Sequence, residues 1–148
     1  MHNHILIATD GSELSIRGVD YGLELARQLQ ARVTIVTATE RWSVLDMAEK
    51  ARRGSNNPVE DYDRIVKHHV GDLLTKMAEK AAAAKIPCET VHVADTLPAE
   101  AIVETAKSRG CDLIVMSSHG RRGIDRLLLG SQTARVLAMT TLPVVVYR

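Results

Sequence analysis

Five short apolar runs recur along the chain: residues 4–9 (HILIAT), 32–39 (RVTIVTAT), 87–95 (PCETVHVAD), 111–118 (CDLIVMSS) and 142–148 (LPVVVYR). They are rich in Val, Ile and Thr and have the length of strands. Between them, apolar positions return every three or four residues, the period of a helix. One stripe is Ile16, Val19, Leu23 and Ala26; a longer one is Tyr62, Val66, Val70, Leu73, Met77 and Ala81. A third holds Ile102, Val103 and Ala106, and a fourth Ala134, Leu137 and Ala138. Ser12 or Ser15 is placed to cap the first helix. The long stripe predicts a helix over about 59–85. Pro98 suits the first turn of the third helix, which Gly110 ends. Residues 40–58 hold neither period. RRGSNNP (52–58) reads as a loop by composition, and EKARRG (49–54) as solvated, charged chain.

Strands and helices thus alternate, which demands crossover helices and a parallel sheet. The expected fold is α/β, a three-layer sandwich with a five-stranded parallel sheet and four main helices. A chain of 148 residues is expected to be a single domain, 1–148. Aromatic residues make up 3% and Phe is absent, so the core is aliphatic. A net charge of +1 argues against a broad nucleic-acid surface. Cys88 and Cys111 fit no metal-binding spacing and read as small apolar fillers in a reducing compartment. The start, MHNHILIATDG, lacks a signal-peptide pattern, and no apolar run approaches a membrane span. The expectation is a soluble, cytoplasmic protein.

Open parallel sheets bind ligands beyond the carboxyl ends of their strands, where the winding reverses. Two such ends carry unusual chemistry: ATDGS after the first run, and SSHGRRGIDRLLLGSQ (117–132) after the fourth. Gly120 and Gly130 allow close approach to the backbone. Gly130 and Ser131 stand where the last helix begins, a natural anion site. Arg121, Arg122 and Arg126 could offset phosphate charge, and His119 could hydrogen-bond a phosphate. The segment reads as a phosphate cradle or, equally, as an ordinary polar loop. It is neither a Walker-type phosphate loop nor a dinucleotide fingerprint.

Other features carry less. Asp10 alone reads as a turn or capping residue; as a phospho-acceptor it would need acidic partners that MHNH does not supply. His68 and His69 are adjacent on a helix and point about 100° apart, so they do not chelate one ion together. His2 and His4 form a bare H-x-H, and no metal site is expected. GRRG (120–123) matches the RNA-binding G-x-x-G loop, but after a strand rather than between helices. No catalytic residue is assigned, because no triad or general base stands out.

MSSHGRRGIDRLLLGSQTARVL, taken with ILIATDGS and LPVVVYR, resembles the universal stress protein family across essentially the whole chain. Nucleotide-binding members of that family carry G-x-x-G-x9-G-[ST]. The corresponding residues are Ser117, Gly120, Gly130 and Ser131, so serine replaces the first glycine and places a Cβ near the expected ligand. The resemblance implies strand order 3-2-1-4-5 and an ATP site. Asp10 would bind the ribose, with Thr9 and Gly11 beside it. Ala38 would meet the adenine through its backbone, and Met116 would line the pocket. Ser117, His119, Gly120, Gly130, Ser131 and the backbone of Gln132 would hold the phosphates, with Mg or Mn. It also implies a homodimer through the last strand (Val144, Val145, Val146), an unidentified protein partner, and no nucleic acid or membrane partner. The function implied is that of a stress-response sensor or regulator rather than an enzyme. The glycine-rich composition of the loop adds the expectation that ATP orders it from Ser117 to Gly130. The alternatives are a member that binds no ATP and acts as an interaction protein, or a slow ATPase on the same fold.

Overall fold

The computed structural model describes residues 1–120 and 128–148. The order is β1 (His4–Ala8), α1 (Glu13–Leu29), β2 (Arg32–Thr39), α2 (Val44–Arg52), α3 (Pro58–Ala83), β3 (Cys88–Ala94), α4 (Pro98–Arg109), β4 (Leu113–Ser117), α5 (Ser131–Met139) and β5 (Val144–Tyr147). All five strands are parallel, in the expected order β3-β2-β1-β4-β5.

Side chains on a strand alternate between faces, so each half of the apolar runs serves a different layer. Ile5, Ile7, Val33, Ile35, Leu113 and Val115 pack against Val19, Leu23 and Ala26 of α1 and Met77 and Ala81 of α3. Leu6, Ala8, Val36, Ile114 and Met116 pack against Ala99, Ile102 and Ala106 of α4 and Val136 of α5. Burial on both faces is why β1 and β4 read as unbroken apolar runs.

Ser12 caps α1 by accepting from the Ser15 amide. The unanticipated element is α2. Ser43 and Asp46 form a reciprocal capping box that starts it within residues expected to be loop. It buries none of its residues, so it has no core-facing stripe to betray it. Residues 49–52, expected as solvated loop, form its last turn; the described residues hold the four expected helices and this additional one.

One polar cluster near the amino ends of the strands runs from the buried His4 and Thr34 to the exposed Glu89 and Arg109. His4 Nε2 lies 2.8 Å from Thr34 Oγ1, and that hydroxyl donates to Glu89 Oε1 at 2.8 Å. Glu89 in turn pairs with Arg109 at 2.9 Å. With the Thr34 proton given to Glu89, its oxygen accepts from His4, so the neutral ring carries its proton on Nε2. His4 Nδ1 is left buried without a partner among the described residues. Burial, and then the charge of Arg32, push the His4 pKa below its ordinary value. His92 is lowered too, again chiefly by burial.

A depressed histidine pKa means that the unfolded chain takes up protons first as pH falls. Stability is therefore complete above the unfolded pKa, about 6.5, and declines below it. Thermal melts from pH 7.5 to 5.5 should show a falling Tm, and His4→Gln should flatten that slope. An unchanged slope in the variant would remove His4 as its source.

Candidate functional site

The winding reverses at β1. From β1 the chain crosses through α1 to β2 on one side, while α4 brings it back to β4 on the other. The β1–β4 pairing ends at Ile7↔Val115, and the strands diverge beyond it. A cleft of about 540 Å³ opens at these carboxyl ends, within the range of small-molecule sites. One wall holds Asp10, residues 37–40 and Gly120; the N-terminal half of α3 and the first turn of α5 supply the others.

The turn after β1 fixes Asp10. Thr9 is buried, its hydroxyl 2.9 Å from Ser15 Oγ and accepting from the Gly11 amide at 3.2 Å. Asp10 Oδ1 accepts from the Ser12 amide at 2.9 Å. Thr9 and Gly11 therefore shape the turn rather than line the cleft, while Asp10 lies on its wall. Gly120 abuts the same carboxylate: a Cβ added there would lie 2.5 Å from Asp10 Oδ2.

The turn after β4 is held by its own hydrogen bonds. The Gly130 amide donates to the Ser118 carbonyl at 2.8 Å. Thr133 Oγ1 lies 3.1 Å from both the Ser117 and Ser118 carbonyls, and its proton is shared between them. The Ser118 amide donates to the Tyr147 carbonyl at 2.8 Å, tying the turn to β5. Gly130 has an ordinary φ of −57°; what requires glycine is proximity, because a Cβ would stand 2.7 Å from the Ser118 oxygen. Its amide, expected to be free for phosphate, is committed to that carbonyl.

Ser117, the departure from the family pattern, is buried and its side chain does not enter the cleft. Its Oγ donates to the His119 carbonyl at 2.8 Å, and its Cβ lies beside Gly18 of α1. His119 Nδ1 is 2.9 Å from Ser118 Oγ. Met116 belongs to the core between the sheet and α4 and α5, away from the cleft wall.

No side chain of the described residues caps α5, whose first turn, Ser131 to Thr133, lines the cleft. Its opening amides have no intrahelical partner and carry the positive end of the helix dipole. The Gln132 side chain accepts from the Ala99 amide at 3.1 Å at the start of α4, next to Pro98, which lines the cleft with it. The structure thus brings together Asp10, Ala38, Gly120, Gly130, Ser131 and Gln132. Arg121, Arg122, Gly123 and Arg126 lie outside the described residues.

The α3 wall went unread in the sequence. Tyr62, Val66, His69, Val70 and Leu73 line the cleft opposite the strand ends. Their apolar period signals a buried helical face without distinguishing core from cleft. Burial first, then the charges of Asp46, Asp63, Glu40 and Asp95, push the Tyr62 phenol pKa up. This end of the cleft joins the side chains of Val66, Val70, Leu73 and Tyr62 to His69 and Glu40, with further carboxylates nearby, whereas the α5 end presents the start of a helix. Among the described residues no group of three or more His, Cys, Asp or Glu side chains is placed to hold a metal ion.

Residues 1–148 match the sequence profile of the universal stress protein family from end to end. The chain is 30% identical over 156 residues to universal stress protein YxiE of Bacillus subtilis, covering all of both chains. The solved structure of hypothetical protein MJ0577, from Methanocaldococcus jannaschii, superposes with a TM-score of 0.80 at 20% identity, over 99% of this chain and 96% of that one. A crystal structure of a universal stress protein in complex with cAMP superposes at 0.69 with 25% identity, over 99% and 97%. The glycine-bearing turn, the strand order and the end-to-end match agree, and the chain belongs to the universal stress protein family.

Proposed function

We propose that the cleft binds an adenine nucleotide, ATP in the cell, and that the protein acts as a dimeric stress-response sensor or regulator. The observation that carries this reading is the polarity of the cleft. Asp10 lines it with Gly120 against its carboxylate, the uncapped start of α5 forms one end, and the largely apolar face of α3, with His69 on it, forms the other. Phosphates belong at the α5 amides, where the dipole favours anions. The base belongs beside Ala38, Val66 and Tyr62, where the surrounding carboxylates would repel phosphate. Asp10 then lies between them as acceptor for the ribose hydroxyls. The relative in complex with cAMP supports an adenine nucleotide as the ligand class. A Mg or Mn ion would enter on the phosphates, its charge offsetting theirs.

A binder, not a catalyst, suits these residues. The Ser118–His119 contact resembles a nucleophile–base pair, but Ser118 is only 2% exposed and its hydroxyl cannot meet a substrate. Free thiols at Cys88 and Cys111, both pushed up to about 11 chiefly by burial, suit a reducing cytoplasm as unreactive fillers. No helix among the described residues is long and apolar enough to cross a membrane.

The dimer reading rests on β5. Ile114 of β4 and Ser118, the residue just after that strand, donate to the carbonyls of Pro143 and Tyr147. Alternate residues of a parallel strand bond to one neighbour, so the backbone groups of Val144 and Val146 face away from the sheet. They are open to pairing with the same strand of a second copy.

Calorimetric titration with ATP-Mg should show saturable binding. Asp10→Ala should weaken it roughly tenfold to a hundredfold, as expected for a lost charged hydrogen bond. Gly120→Ala, whose methyl displaces the Asp10 carboxylate, should weaken it about tenfold. Wild-type affinity in both variants would sink the assignment. Val146→Pro removes one outward amide and should shift the protein from dimer to monomer in light scattering; a persisting dimer would place the interface elsewhere.

A further inference from the structure

We propose that Thr133, which the family motif does not include, is the positioning residue for the phosphate end of the cleft; this rests on the nucleotide reading above. The need for it arises from the topology. Along β4, residues 114 and 118 bond to β5, so Ser117 belongs to the alternate set that faces β1. The β1–β4 ladder has already ended at Ile7↔Val115. The Ser117 carbonyl therefore projects into the crevice where the two strands part, on a residue that is itself buried. A buried carbonyl without a donor is costly.

Thr133 supplies the donor. It is the third residue of α5 and 2% exposed, and its hydroxyl reaches back to the Ser117 and Ser118 carbonyls. A buried position on the core side of an otherwise apolar helix face would accept valine by shape. The hydroxyl is there for the two carbonyls. By docking on them it sets where the first turn of α5 sits, and so the place of the Ser131 and Gln132 amides in the cleft that Gly120 and Asp10 also line. The Gly130–Ser118 bond fixes the chain just before the helix, and Val136 and the Gln132–Ala99 bond hold the helix to the core and to α4. Thr133, one turn beyond Gly130, ties that first turn itself to the end of β4, which the other contacts do not do.

A merely structural role for Thr133 would weaken every ligand of the cleft alike. A positioning role acts on phosphate alone, and titrations with ATP-Mg and with adenosine separate the two. Thr133→Val should raise the Kd for ATP about tenfold while leaving that for adenosine within about twofold. Thr133→Ser, which keeps the hydroxyl, should bind ATP like the unsubstituted protein. In ligand-free protein the Gly130 amide should exchange with solvent faster in Thr133→Val than in either of the others. Equal losses for ATP and adenosine, or unchanged ATP binding, overturn the proposal. If Thr133→Val does not fold, Thr133→Ser still decides: weak ATP binding by that variant, with a normal melt, overturns it. A folded, unsubstituted protein that binds no ATP overturns the nucleotide reading and this proposal together; ATP binding that survives Thr133→Val overturns this proposal alone.

Discussion

A parallel sheet buried on both faces is the constraint from which the rest follows. Every strand must be re-entered from the same end, so a crossover element separates each pair and helices cover both surfaces. With β1 in the middle, the crossovers leave it in opposite directions. The crevice between the ends of β1 and β4 is what that arrangement leaves open. Backbone groups there lose their ladder partners, and the residues that satisfy them become the walls of a site. Thr9, Ser15, Ser118 and Thr133 are all buried polar residues gathered at this one end.

The architecture was legible because its causes are local and periodic. The apolar runs of β1 and β4 and the helical stripes of α1, α3 and α4 report burial directly. Helix α2 escaped because it touches the core with nothing; its only trace is the capping pair Ser43 and Asp46. The phosphate end of the site was visible as glycines before a helix. Their physical reason was not: both serve close approach, Gly120 to a carboxylate and Gly130 to a carbonyl, rather than an unusual dihedral. Contacts of that kind join residues distant in the chain and leave no pattern in it. The same holds for Ser117, whose Cβ turns toward α1 rather than the cleft, and for the face of α3 that looks into the cleft instead of the core.

The two ends of the cleft differ in origin as well as in charge. The α5 end is a helix start, held by hydrogen bonds that short side chains complete. The α3 end is a helix face, buried at Val70 within the cleft and at Met77 and Ala81 further along. A backbone surface keeps its chemistry through most substitutions, whereas a side-chain surface changes with each one. On the proposed reading, recognition of an anion would accordingly be the durable property, and the identity of what the anion carries the adjustable one.

The bond between Ser118 and Gly130 has a consequence for the chain between them. Because the two residues meet directly, the geometry on either side is indifferent to how many residues complete the circuit. Lengthening such a circuit costs little, about 0.6 kcal/mol for each doubling. Sequence added within that circuit, beyond Gly120, could therefore carry a new recognition surface to the mouth of the cleft while Ser118, Gly130 and α5 keep their places.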